Sequence, residues 1–192
     1  MSRRHGTAAG RALAALLALA GLALAAQAAW MPVKAALAQV LLERAFARGL
    51  ADGRPARPWP WADTEPVARL TLAGRSFVVL RGGSGQALAF GPGHLAGTPE
   101  AGEPGTAVIA AHRDTQFAVL GRLAPGDPVA VTRRDGRTVR FRVAGTRVAP
   151  WDASGIDPRA PGRHLALVTC WPLTALRSGP LRLIVDAEAE TP

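Results

Sequence analysis

Residues 164–170 read HLALVTC, a short apolar run that closes on Cys170, the only cysteine of the chain. A run of this length, carried by Leu and Val, predicts a β-strand over His164–Thr169 with Cys170 at its end. The same format recurs on both sides. Downstream, Leu181–Ala187 (LRLIVDA) predicts the last strand, opened by Arg182. Upstream, Thr106–Ala111 (TAVIAA) predicts an apolar strand with His112 at its end. Val129–Arg133 and Thr138–Val143 flank Asp135-Gly136, a dipeptide suited to the positive φ angles of a tight hairpin turn. Thr146–Pro150 predicts a further strand. Val67–Leu72 and Ser76–Leu80 are separated by the turn Ala73-Gly74-Arg75, and Leu88–Phe90 is a third short β-type run. His94–Gly105 reads as a Gly/Pro loop and Gln116–Leu123 as one or two helical turns. Many short strands at close spacing with little helix predict a mainly β domain, a closed or nearly closed barrel over residues 67–192.

The N-terminal third has a different composition. Residues 1–11 are polar and basic, and residues 12–31 form an Ala/Leu run broken only by Gly21 and Gln27. That is about the ~20 residues a helix needs to cross a bilayer. Arg3 and Arg4 before it would stay inside the cell. The expectation is a basic tail (1–11), an uncleaved single-pass transmembrane anchor (12–31), and everything beyond outside the cytoplasm. Ala26-Gln27-Ala28 also resembles a small-x-small cleavage site, which keeps a secreted form open. Residues 33–50 show helical spacing of apolar residues. Residues 52–66, rich in Pro and Trp, read as a linker, so 32–66 is expected to be a helical stalk with a linker. Trp59 and Trp61 would dock on the domain or sit at the membrane interface.

The chain has 192 residues and a formal charge of +9, almost all of it arginine, because Lys34 is the only lysine. The arginines are scattered and no nucleic-acid-binding motif accompanies them, so nucleic acid is not an expected partner. One cysteine excludes an intramolecular disulfide and a Cys-rich zinc site. No carboxylate cluster suggests a metal, and no cofactor is expected.

Chemistry is expected from three strand ends: His112, Cys170 and Arg182. A thiolate attacks an amide carbonyl. A nearby imidazole holds the thiolate as an ion pair and protonates the leaving amine. A guanidinium supplies permanent donors to the oxyanion. Taken singly, each residue has a plainer reading: Cys170 as a small buried hydrophobe, His112 as a locally bonded imidazole, Arg182 as one arginine among many, with Arg177 just upstream. His5, His94 and His164 are given no role.

The strings TAVIAAHRDTQFAVLGRLAPGDPVAV (106–131), LALVTCWP (165–172) and GPLRLIV (179–185) together resemble the sortase family. The family's cysteine motif, T-L-x-T-C, is here Ala166-Leu167-Val168-Thr169-Cys170, with Ala in place of the first Thr. Arg182 falls at the family's arginine position and Arg177 does not. The Trp-Pro after the cysteine and the single anchor are most similar to the class GN sortases of Gram-negative bacteria. The resemblance implies an eight-stranded sortase barrel and a cysteine transpeptidase facing the periplasm from the inner membrane. Its substrate would be a protein with a C-terminal LPxTG-like sorting signal, held as a thioester on Cys170 and passed to an amine acceptor. His112 would act as acid and base, and Arg182 would steady backbone and oxyanion. Two alternatives remain open. An L,D-transpeptidase-like enzyme would carry Gly, not Thr169, before its cysteine. A non-catalytic tethered barrel would lack one of the three residues.

Overall fold

The structure is a computed structural model that describes residues 3–175, 177 and 179–190; in the N-terminal helix the side chains of residues 3–9, 26, 28, 29, 31 and 32 lie outside the description. One helix, α1, spans Arg3–Asp52. The chain divides into two units, residues 1–38 and residues 39–192.

In the first unit Leu13, Leu16, Leu17, Leu19, Leu22 and Leu24 are all exposed. At 3.6 residues per turn they spread over more than half of the circumference, wider than one stripe. No helix among the described residues is long and apolar enough to cross a membrane. The transmembrane anchor expected over 12–31 is therefore not found. Four of its side chains (26, 28, 29 and 31) lie outside the description.

The second unit is a closed barrel. Its strands are β1 (Pro66–Leu72), β2 (Arg75–Arg81), β3 (Gly93–His94), β4 (Gly105–Ala110), β5 (Pro128–Arg133), β6 (Thr138–Pro150), β7 (Arg163–Cys170) and β8 (Leu181–Ala189). Around the barrel the order is β1-β2-β3-β4-β7-β8-β6-β5. Alternation makes the core: Leu70 and Leu72 of β1, Ile109 of β4, Val129 and Val131 of β5, and Leu165 and Leu167 of β7 point inward with Phe117 and Phe141. Each such side chain contributes about 1.5–3 kcal/mol on burial. The β1–β2 turn is two residues long. Ala73 takes φ 46° and Gly74 φ 72°, as a hairpin that follows the strand twist requires.

Four readings of the sequence change. Leu88–Phe90 is helical and belongs to α2 (Gly85–Phe90), because the Ser84 hydroxyl accepts from the Ala87 N–H and starts a turn. Thr146–Pro150 is the second half of a single 13-residue strand, β6, which continues past an irregularity between Val143 and Gly145. The loop expected over His94–Gly105 begins inside β3. The stretch expected as stalk is also not free along its length. From Gln39 onward α1 belongs to the barrel unit, and its Leu42 and Phe46 are buried with Val78, Leu80 and Ala87. Trp59 stacks edge-on against Phe90 at 5.3 Å, whereas Trp61 is exposed.

Candidate active site

Strand direction decides which ends meet. β4 and β7 are parallel, with Ala110 beside Val168. Their C-terminal ends therefore reach the same rim of the barrel. The Ala111 N–H donates to the Val168 carbonyl at 3.1 Å as the last bond of that pairing. His112 follows two residues after Ala110, and Cys170 two residues after Val168. β8 runs antiparallel to β7, so its first residues lie at that same rim, and Cys170 is paired directly with Arg182.

Parity then decides which face each side chain occupies. Leu165 and Leu167 of β7, Leu183 and Val185 of β8, Ile109 of β4 and Ala111 just after it fill the barrel. The alternate positions Ala166, Ile184 and Val108 form a second, smaller cluster outside the barrel wall, with Val168, Ala149, Leu95 and Ile156 packed on it. Cys170 of β7 and Arg182 of β8 continue this outer series. The strand ends that carry the sequence-predicted trio thus lie at one rim. His112 is exposed, and Cys170 and Arg182 are partly buried.

Two hydrogen-bond sets hold this rim. The Thr169 hydroxyl, buried on the barrel side, donates to the Ala111 carbonyl at 2.8 Å. It ties the residue before the cysteine to the residue before the histidine. Arg182 Nη1 donates to the carbonyls of Gly179 and Leu181, each at 2.8 Å. Among the described residues, the side chains of His112, Cys170 and Arg182 make no hydrogen bond to one another. What the rim supplies is a thiol, an imidazole open to solvent and a permanent cation. These are the parts that acyl transfer through a thioester needs. No group of His, Cys, Asp and Glu among the described residues could hold a metal ion.

The other candidates lie elsewhere. Arg177 is exposed, and among the described residues only its carbonyl is bonded, accepting from Arg113 Nη2 at 2.9 Å. His94 bonds the Pro99 carbonyl at 2.9 Å and Thr98 Oγ1 at 3.2 Å within its own loop. His164 sits at the far end of β7 from Cys170 and bonds the Pro161 carbonyl at 2.8 Å. The His5 side chain lies outside the described residues. Thr169 entered the sequence reading only as a position of the cysteine motif, although a hydroxyl at an inward strand position is a signal of its own. Arg113 escaped it, since HRDTQ reads as a solvated segment.

The sortase-domain family model matches residues 70–190. No curated protein sequence matches the chain. Among solved structures it is similar to sortase A from Corynebacterium diphtheriae, at 24% identity and TM-score 0.60, over 69% of this chain and 64% of that one. A sortase E variant from Streptomyces avermitilis is 30% identical, with TM-score 0.55, over 66% of this chain and 88% of that one. A sortase D5 transpeptidase from Clostridium perfringens superposes with TM-score 0.65 at 18% identity, over 81% of this chain and 99% of that one. The chain thus spans less than two thirds of the corynebacterial protein and nearly all of the clostridial one.

Proposed function

The chain belongs to the sortase family, and from that premise we propose that it is a membrane-anchored cysteine transpeptidase of the cell envelope. The observation that carries the reading is the parallel β4–β7 pairing beside antiparallel β8, which brings the ends bearing His112, Cys170 and Arg182 to one rim.

The mechanism follows from these parts. The Cys170 thiolate adds to the carbonyl carbon of the Thr–Gly bond in an LPxTG-like signal near the C-terminus of a protein substrate. Arg182 offers N–H donors to the oxyanion that forms. As the tetrahedral adduct collapses, the C–N bond breaks, and His112 gives its proton to the departing glycine amine. A thioester remains on Cys170. An incoming amine loses a proton to His112, attacks the thioester and leaves with the acyl group in a new amide bond, and the thiolate is regenerated.

Anchoring is supported by the apolar run 12–31 behind a basic tail and by leucines exposed over more than half of the helix circumference. Such a helix finds its burial in lipid or in a partner. The proposed location is the bacterial inner membrane, with the barrel on the outer side, in the manner of the class GN sortases.

The test uses the full-length chain in detergent, incubated with an LPxTG-type peptide and examined by intact mass spectrometry. An acyl adduct on Cys170 that hydroxylamine discharges as a peptide hydroxamate is the expected result. A folded protein whose thiol still reacts with iodoacetamide but forms no adduct with any sorting-type peptide would remove this substrate class.

A further inference from the structure

The rim holds a second arginine that the mechanism does not use. Arg113 follows His112 directly and is only 9% exposed. A guanidinium withdrawn from water is destabilising unless its N–H groups are paired. Nη2 is paired, donating to the Arg177 carbonyl at 2.9 Å, 64 residues away. Nη1 is enclosed and has no partner among the described residues. A cation kept under these terms has its value in what the paired arm holds.

What it holds is the segment between Cys170 and Arg182. That segment has further attachments near its ends: the Trp171 N–H donates to the Leu181 carbonyl at 3.0 Å and the Trp151 N–H to the Pro180 carbonyl at 2.8 Å. Arg182 Nη1 grips its far end through the Gly179 carbonyl. Near its start, Leu173 lies against Gly121 of the 3-10 helix Gln116–Arg122, so closely that a Cβ at Gly121 would come within 2.4 Å of Leu173 Cδ1. Among the described residues, the Arg113 bond is the one that joins the middle of this loop to the chain just beyond His112. The other attachments among the described residues lie near the two ends of the backbone linking nucleophile to oxyanion donor.

We infer that Arg113 is a positioning residue for acyl transfer. It ties the loop between β7 and β8 to the end of β4, so that His112, Cys170 and Arg182 keep one mutual geometry through both halves of the reaction. The kinetic part of this inference rests on the transpeptidase reading above; the loop tie rests on the fold alone.

The experiment compares wild type, Arg113→Met and Arg113→Lys as full-length proteins in detergent. Hydroxylamine-dependent cleavage of an LPxTG-type peptide gives kcat and KM, amide hydrogen exchange covers residues 171–181, and thermal unfolding reports the fold. For Arg113→Met the expected result is a fall in kcat of about tenfold or more with KM changed less than about twofold, because misplaced groups lose rate before they lose binding. Exchange in the loop should accelerate while β4 and β7 stay protected. Lys reaches one carbonyl without the guanidinium fork, so Arg113→Lys should recover part of both effects. Unchanged kcat, unchanged loop exchange, or an activity loss that merely tracks the unfolded fraction would overturn the inference. If Arg113→Met does not fold, the Lys variant decides. Slower turnover with faster loop exchange supports the tie, whereas wild-type behaviour, or failure to fold as well, overturns it. A wild type that cleaves no sorting peptide removes the function reading, and the exchange comparison still judges the loop.

Discussion

The barrel has two charged hairpin regions, and they handle charge in opposite ways. At the β5–β6 tip the charges neutralise one another. Arg133 reaches Glu100 at 2.6 Å, Glu103 at 3.3 Å and Asp135 at 3.4 Å, and Arg137 pairs with Asp135 at 2.7 Å. At the β7–β8 rim, Arg113 and Arg182 bond only backbone carbonyls. Among the described residues neither forms a salt bridge. Carbonyls orient a guanidinium without cancelling its charge. The tip is organised to be electrostatically quiet, and the rim keeps positive charge unspent where a thiolate and then an oxyanion must form.

The largest effect expected from this contrast is at Cys170. Cys170→Ala should abolish turnover in the peptide assay, since no other thiol exists, while circular dichroism and the unfolding temperature stay near wild type. Arg182→Ala should come next. Loss of a positioned oxyanion donor costs about 10²–10³ in kcat, whereas Arg177→Ala should remain within a few-fold of wild type, because Arg177 contributes only its backbone carbonyl. Equal losses at the two positions would erase the distinction between a charge held at the rim and one merely near it.

Thr169→Val is a smaller test of the same rim. It keeps the side-chain shape but strips the Ala111 carbonyl of a partner in a buried setting. An unsatisfied buried acceptor costs about 1–3 kcal/mol, so chemical denaturation should show a loss in that range. Activity should fall further than the folded fraction explains, because the bond couples the residues just before Cys170 and His112.

How much of this could be read in the sequence depends on range. Local periodicity shows where strands lie, and a reactive side chain at a strand end is visible in TAVIAAH and HLALVTC. Pairing partners are not visible in that way. The parallel β4–β7 contact joins residues some sixty positions apart, Ala110 with Val168, and no local pattern announces it. Leu88–Phe90 shows the opposite failure. Three apolar or aromatic residues look like β-structure, and a hydroxyl one turn earlier, Ser84, decides for helix. Thr169 and Arg113 were obscured for a related reason. A threonine in a strand reads as β-propensity and an arginine after a histidine reads as surface, until the long-range partner of each is known.

The smallest expected effect is at the quiet tip, and it carries a pH signature. The hydrogen bond from Arg137 holds the Asp135 carboxyl below its ordinary range. A carboxylate depressed in the folded state stabilises the fold above its unfolded pKa, and that contribution is lost as pH falls through the folded value. Asp135→Asn should therefore lower the unfolding temperature at neutral pH. The shift should be about 2 °C or less, because the pair is exposed and screened by salt. The gap between variant and wild type should close as the medium is acidified through the carboxylate range, where the wild-type carboxylate is neutralised too. Peptide cleavage should be unaffected at neutral pH. If Asp135→Asn slowed turnover as Arg182→Ala does, the two ends would be one electrostatic unit, and the separation of quiet tip from active rim would fail.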